Sequence, residues 1–323
     1  MALGTLSEVL TNARRLTRGV PNLWGGGVDK ILGHIAAAEE MGASLSICYN
    51  RALCPEIPID YGFSIIVAAA QRSRVPIAVI LDHGESMEQC VAAIRAGATG
   101  VMYDGSHLPY RENVERTREV VRAAHAVGIS VEAELGAVGG SALEYGGSED
   151  LESVLTEPDQ AVDFVEKTGV DALAISVGNS HGLYKGPAHI RHDLIQEIAR
   201  RVEVPLVMHG ASGLPEEEYG RIVASGITKI NYYSGMSVNA TERLRRYVED
   251  QPPTTACHNV IRHMIGVYAD ETRRLLRLLG WGDQPIGRYD SDTSEIAGEV
   301  GMNGFDVDEI AGMVMKVLQE RRS

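Results

Sequence analysis

The sequence lacks a surplus of basic residues and lacks long apolar runs. It contains 30 Lys and Arg residues and 44 Asp and Glu residues, which gives a formal net charge of −14. Nucleic acid and anionic membrane surfaces require a basic face, so we expect neither as a partner. No stretch approaches ~18 uninterrupted apolar residues, so we also expect no transmembrane helix. A small anion remains a possible ligand because it needs only a local positive site.

Paired cysteines are also missing. The four cysteines form no C-x-x-C pair and no regular framework, which is typical of reduced thiols in a cytoplasm. They are Cys48, Cys54, Cys90 and Cys257. The first twenty residues show no continuous apolar core and no A-x-A-like cleavage site of a signal peptide. We therefore expect a cytoplasmic protein.

Eight short apolar runs alternate with amphipathic helical patterns along most of the chain. Such alternation implies parallel strands with right-handed crossovers, and eight units close into a (β/α)₈ barrel. A doubly wound open sheet is the alternative, but LWGGGVDK (23–30) does not match its G-x-G-x-x-G fingerprint. We expect an α/β fold, a (β/α)₈ TIM barrel over 1–279, followed by a C-terminal loop and helical extension over 280–323. The predicted strands are 20–24, 44–50, 76–83, 100–106, 130–136, 171–178, 205–210 and 227–233.

Histidines stand at or next to the ends of four predicted strands. In such a barrel the carboxyl ends of the strands form the active site. Strand five adds Glu132 and Glu134, which share one face because they are two residues apart. Three such histidines with a carboxylate fit a catalytic Zn²⁺ site, and another divalent transition metal fits the same ligands. Each histidine alone also fits a structural role. The four are His83, His107, His181 and His209.

Glycines follow two of these histidines, in HGLYKG (181–186) and HGASG (209–213). Glycine lets backbone N–H groups approach an anion, and the next helix adds its positive end. With Lys185 and Ser212, these loops predict a phosphate pocket, although the glycines also fit ordinary turns. Asp82 adjoins His83 and is a candidate general acid or base if the strand has ended there. Its alternative role is to cap the following helix.

In this order, the motifs resemble the class II, zinc-dependent ketose-bisphosphate aldolases, which include fructose- and tagatose-bisphosphate aldolases. The resemblance covers roughly residues 30 to 280 and implies a (β/α)₈ barrel. It implies reversible cleavage of a phosphorylated ketose to dihydroxyacetone phosphate and an aldehyde, by a homodimer or homotetramer. The matching stretches are LDHG, GATGVMYDGSHLPYRENV, VEAELGAVGG, GVDALAISVGNSHGLYKGP, VPLVMHGASGLP and GITKIN.

The same resemblance implies a role for individual residues. His83, His181 and His209 hold the zinc ion, and Glu134 is a further metal ligand. Asp82 handles the proton on the oxygen that becomes the aldehyde. A monovalent cation, Na⁺ or K⁺, is expected near the donor phosphate. The donor fragment is contacted by Gly182, Lys185, Gly210, Ser212 and Ser234 at its phosphate and by Asn231 at its triose.

Several segments depart from the family pattern, and two of them supply candidate substrate-contacting or catalytic residues. The second strand ends in Asn50 and Arg51 where the family has Gln-x-Ser. We expect both to contact substrate, with Arg51 pairing a distal anion such as phosphate, carboxylate or sulfonate. A surface salt bridge is the alternative for Arg51. The fifth loop lacks the family's acidic pair, which leaves Glu144 as the candidate catalytic base for the donor proton.

These departures predict an aldolase with a non-standard acceptor aldehyde. Two other functions remain open from the sequence. One is a metal-dependent lyase or isomerase that does not use dihydroxyacetone phosphate. Substrate profiling would distinguish it from an aldolase. The other is a non-catalytic, metal-stabilised phosphosugar-binding barrel, which would bind metal and ligand without turnover.

Overall fold

The computed structural model describes residues 3–136, 138, 154–182, 184, 186 and 188–282. Eight parallel strands close into a barrel in chain order, and the last strand pairs with the first. The predicted (β/α)₈ barrel is therefore confirmed, and the doubly wound alternative is wrong. The strands are β1 (Val20–Trp24), β2 (Leu45–Tyr49), β3 (Ile77–Gly84), β4 (Gly100–Tyr103), β5 (Ser130–Leu135), β6 (Ala172–Ile175), β7 (Leu206–Met208) and β8 (Ile227–Asn231).

Ten helices occur in the described ranges, and seven of them connect consecutive strands. The first precedes β1 and was not part of the predicted alternation, although Thr5 and Glu8 form a capping box at its start. The described helices include none that is long and apolar enough to cross a bilayer. The helices are α1 (Leu6–Arg15), α2 (Val28–Met41), α3 (Ile59–Ala70), α4 (Met87–Arg95), α5 (Tyr110–His125), α6 (Pro158–Thr168), α7 (His192–Arg201), α8 (Glu216–Ser225), α9 (Ser234–Glu249) and α10 (Cys257–Leu278).

Helix α10 packs closely against α2. A Cβ atom at Gly33 would lie 2.6 Å from the backbone oxygen of Ile265, so only glycine fits this crossing. After α10, the Trp281 indole donates to the backbone oxygen of Gly19 at 2.7 Å, which ties the chain back to the start of β1. Of the predicted extension over 280–323, only residues 280–282 are described, so that boundary stays a prediction.

A bulge in β3 turns two neighbouring residues toward the same side. The pairing register with β4 shifts between Leu81 and Gly84, and His83 has a φ of 50°. In a regular strand Asp82 and His83 would point to opposite faces. The bulge removes that alternation, and both side chains line the same cleft. Ser86 caps α4 by accepting from the Gln89 backbone, so the alternative role of Asp82 as a helix cap is wrong.

Candidate active site at the mouth of the barrel

Three of the four strand-end histidines form one cluster. One ring nitrogen each from His83, His181 and His209 lies within 4.8 Å of the other two. The ring centroids of His83 and His209 are 4.6 Å apart, and His83 Nε2 lies 3.0 Å from His209 Nδ1. His107 is exposed in the turn after β4 and is not part of this cluster. The cluster joins the ends of β3, β6 and β7.

The outer nitrogens of two of these rings are already engaged. His83 Nδ1 lies 2.7 Å from Asp104 Oδ2, and His209 Nε2 lies 3.2 Å from Glu132 Oε1. These contacts leave His83 Nε2 and His209 Nδ1 facing each other. Carboxylates that bind the outer nitrogen of a histidine are the usual support for a metal-ligating ring.

The charge states of these groups also fit a bound cation. Burial lowers the pKa of His181 to about 3 and the pKa of His209 well below its usual value, so both rings keep free lone pairs. Burial alone would lower the pKa of His83, but the charges of Asp82 and Asp104 outweigh it and raise the pKa to about 10. The negative potential that favours a proton on His83 also favours a metal ion there.

Glu134 supplies an unsatisfied oxygen at the same place. Its Oε2 atom is buried and has no hydrogen-bond partner in the described part of the chain, and it lies 3.9 Å from His209 Nδ1. Burial and then the charge of Asp104 raise the pKa of Glu134 to about 8. With His83 and Asp104, Glu134 forms a second group whose ligand atoms lie within 4.8 Å of one another. A buried, unpaired carboxylate oxygen beside neutral imidazoles fits a divalent transition metal.

Asp82 lies beside the histidine cluster and is held by amide groups. Asn231 Nδ2 donates to Asp82 Oδ1 at 2.8 Å, and Asn50 Nδ2 donates to Asp82 Oδ2 at 3.3 Å. Burial alone would raise the pKa of Asp82. The charges of His83 and then Lys229 outweigh burial and hold the pKa below its usual value. Asp82 is therefore an ionised acceptor at the centre of the mouth.

A small compartment on the β6–β8 side contains the residues predicted to contact the donor fragment, at its phosphate or, for Asn231, at its triose. The described members Gly182, Gly210, Ser212, Asn231 and Ser234 all line this space of about 40 Å³. Gly210 has a φ of 65°, and a Cβ atom there would lie 2.3 Å from the backbone oxygen of Ser180. Ser234 begins the sixteen-residue helix α9, whose positive end therefore faces the compartment. Backbone turns and a helix end form an anion site of this kind.

A larger cleft opens on the β2–β4 side. Its volume is about 510 Å³, and its walls include Asn50, Arg51, Glu85, Gln89 and Ser106. The Asn50 side chain accepts from the Ala52 backbone at 2.9 Å and so begins the 3₁₀ turn that carries Arg51. No described carboxylate forms an ion pair with the exposed Arg51, which does not favour the salt-bridge alternative.

Asp82, His83 and His181 line both spaces, so the histidine cluster stands between them. Two predicted residues, Glu144 and Lys185, lie outside the described residues. Sequence reasoning gave no role to Asp104, which lies within the predicted strand 100–106. It missed Asn22, whose Nδ2 donates to Asp82 Oδ1 at 3.3 Å. The signal for Asn22 was a polar residue in the middle of an apolar strand.

Comparison with known proteins agrees with this geometry. The family model for class II fructose-bisphosphate aldolase matches residues 4–284. A fructose-bisphosphate aldolase of Thermus caldophilus is 41% identical over 225 residues, which are 68% of this chain and 72% of the relative. A sulfofructosephosphate aldolase of Alkalicoccus urumqiensis is 33% identical over 252 residues, 78% of this chain and 88% of the relative.

A solved structure shows the same fold. The crystal structure of the YdjI aldolase from Escherichia coli K12 superimposes with a TM-score of 0.77 at 29% identity, and the match covers 86% of this chain and 98% of that one. The family match runs from before α1 to beyond α10, and the relatives are aldolases. The chain therefore belongs to the class II fructose-bisphosphate aldolase family and is an enzyme of the lyase class.

Proposed function

We propose that this aldolase reversibly cleaves a phosphorylated ketose to dihydroxyacetone phosphate and an aldehyde whose far end carries an anion. The observation that carries the proposal is the arrangement of the mouth. A metal-type histidine cluster and Asp82 stand between a small glycine-lined compartment and a larger cleft that contains Arg51. A ketose that spans both spaces has its scissile bond beside Asp82.

The residues that would hold the ion are His83, His181 and His209, with Glu134 as a further ligand. A divalent ion, for which zinc is our choice from the ligand set, supplies Lewis-acid chemistry that stabilises negative charge on the ketose oxygens. Asp82 takes the proton from the hydroxyl group that becomes the aldehyde, and returns it in the condensation direction. Its three amide contacts hold it within reach of that hydroxyl.

The donor phosphate is proposed to bind in the small compartment. The support is the close approach of the Gly210 turn to Ser180 and the position of the Ser234 helix end. Ser212 also accepts from the Tyr233 backbone at 2.8 Å, which joins two of the loops. Lys185 would add a positive charge, and Na⁺ or K⁺ would balance the phosphate. Asn231 would contact the triose.

The acceptor end is proposed to bind in the larger cleft, with Arg51 on its anionic group. A guanidinium group binds planar or tetrahedral oxyanions through two N–H groups, which suits a phosphate, carboxylate or sulfonate. One relative is named a sulfofructosephosphate aldolase, and that name supports a sulfonate as one candidate for the anion here. Asn50 would contact the same part of the substrate. Glu144 is our candidate for the base that takes the donor proton.

We further propose a cytoplasmic homodimer or homotetramer. All four cysteines are free in the structure, as expected for reduced thiols. Size-exclusion chromatography with light scattering would measure the oligomeric state. A monomer at micromolar concentration would contradict that part of the proposal.

The test of the donor half needs no knowledge of the aldehyde. Metal-loaded protein is incubated with dihydroxyacetone phosphate in D₂O, and proton NMR follows loss of the hydroxymethylene proton, with a chelator-treated control. Metal-dependent exchange supports the proposal, and an aldehyde screen then identifies the acceptor. Binding without exchange would favour a binding-only barrel. Turnover of a ketose phosphate without exchange would favour a lyase or isomerase with another donor.

A further inference from the structure

Asn22 lies under Asp82 rather than in the substrate space. It is 2% exposed on β1, and its Nδ2 atom donates to Asp82 Oδ1 at 3.3 Å. Among the described residues, Asn22 lines neither the small compartment nor the larger cleft. Asn22 therefore reaches the substrate space through Asp82 rather than by direct contact.

Ser46 fixes the orientation of this amide. Ser46 is the neighbour of Asn22 in the β1–β2 pairing, and its hydroxyl donates to Asn22 Oδ1 at 2.8 Å. A primary amide accepts through oxygen and donates through nitrogen, so engagement of the oxygen by Ser46 turns the NH₂ group toward Asp82. The reversed amide would place its oxygen against the Asp82 carboxylate, where neither group donates a hydrogen bond.

The same construction occurs on the other side of Asn22. Asn231 is its neighbour in the β1–β8 pairing. Lys229 Nζ donates to Asn231 Oδ1 at 2.8 Å, and Asn231 Nδ2 donates to Asp82 Oδ1 at 2.8 Å. Two oriented amides from adjacent strands thus meet on one oxygen of Asp82. Because both are set by donors inside the barrel, the carboxylate is confined before substrate binds.

We infer that Asn22, oriented by Ser46, is a positioning residue that aligns Asp82 for proton transfer. The inference rests on the proposed function, in which Asp82 acts at the oxygen that becomes the aldehyde. Proton transfer requires hydrogen-bond reach, and a misplacement of about 1 Å costs up to about 10²-fold in rate. Exchange of the donor proton is a separate step that Asp82 does not perform. Asn22 therefore acts on cleavage and condensation but not on exchange.

The experiment compares Asn22→Ala and Ser46→Ala with the unaltered, metal-loaded full chain. Cleavage of the ketose found in the aldehyde screen and exchange of dihydroxyacetone phosphate in D₂O are both measured. We expect Asn22→Ala to lower kcat for cleavage about ten- to a hundredfold, with KM and the exchange rate within about twofold. Ser46→Ala should lower kcat by about three- to tenfold, because the amide remains but loses its orientation.

Ser130→Ala is the matched control. Its buried hydroxyl accepts from the Ser7 backbone at 3.1 Å at the start of β5, and its removal should leave kcat unchanged. Metal content and the thermal midpoint are recorded for every variant. Unchanged kcat in Asn22→Ala, or equal losses of cleavage and exchange, would overturn the inference. Absence of both reactions in the unaltered protein would instead overturn the proposed function itself.

Discussion

The two sides of the mouth are built differently. On the β6–β8 side, the walls of the small compartment are backbone turns and a helix end, as at Gly210 and Ser234. On the β2–β4 side, the walls of the larger cleft are side chains such as Arg51, Glu85 and Gln89. A backbone site depends on the path of several strands, whereas a side-chain site changes with single substitutions. Under the proposed function, donor recognition is therefore tied to the fold, whereas acceptor recognition is readily altered by substitution.

The largest effect should come from the cluster that both sides share. His209→Ala should lower kcat/KM for cleavage, and the rate of donor exchange, by about a thousandfold or more, because a ligand is lost where negative charge develops. Removal of the metal with a chelator should lower both rates similarly, and adding the metal back should restore them. Turnover assays, together with metal content by mass spectrometry, check this prediction. His107→Ala, at another strand end but exposed, is the control. Full metal content with full activity in His209→Ala would refute the assignment.

The next effect should be confined to the donor side. Gly210→Ala should lower kcat/KM for every ketose phosphate, and donor exchange, by about ten- to a hundredfold. The new Cβ atom would lie 2.3 Å from the Ser180 oxygen at a φ of 65°, and such strain costs about 1–3 kcal/mol. Steady-state kinetics and binding of dihydroxyacetone phosphate measure this. In the control Gly220→Ala, on helix α8, no described atom lies within 4 Å of the new Cβ atom, and neither quantity should change.

A smaller effect should be confined to the acceptor side. Arg51→Ala should raise KM for an anionic aldehyde about tenfold, because one charged hydrogen-bonding group is lost from an exposed site. Neutral aldehydes and donor exchange should be unaffected, and Arg51→Lys should be intermediate. Arg118→Ala, an exposed arginine on α5, serves as the charge-matched control. An equal change in KM for neutral and anionic aldehydes would show that Arg51 does not bind the anionic group.

The smallest effect should be that of salt. Raising ionic strength from about 0.05 M to about 0.5 M should increase KM for an anionic aldehyde about two- to threefold, because the Arg51 charge is exposed and screened. The small compartment is more enclosed than the larger cleft, so KM for dihydroxyacetone phosphate should change less. Condensation assays across a salt series test the contrast. An equal salt dependence of KM for the aldehyde and for dihydroxyacetone phosphate would contradict the expected difference between the larger cleft and the small compartment.

The barrel and the histidine cluster were readable from the sequence because both rest on local patterns. Apolar runs separated by amphipathic stretches predicted all eight strands, and three of the four histidines at the run ends lie together as predicted. The resemblance assigned Gly210 and Ser234 to the donor phosphate, and both residues line the small compartment. Helix α1 was missed although its capping box is a local signal.

Other features depend on contacts between strands and were not readable. The bulge at His83 places a non-glycine residue at a φ of 50°, which no local signal in LDHG requires. Asn22 and Ser46 are polar residues within apolar runs. The hydrogen bond between them depends on the strand register that makes them neighbours. Barrel register arises from closure of all eight strands together. A single strand, taken alone, therefore does not reveal which polar group its side chain will meet.

The β3 bulge gives the site an unusual mechanical property. Asp82 and His83 are adjacent in the chain, so their separation is set by covalent geometry, whereas the other cluster partners are reached across the barrel. Any displacement of β3 would therefore carry Asp82 and His83 together, whereas their distances to His181 and His209 would change. The precision of the cluster thus depends on how firmly the ends of β6 and β7 are held relative to β3.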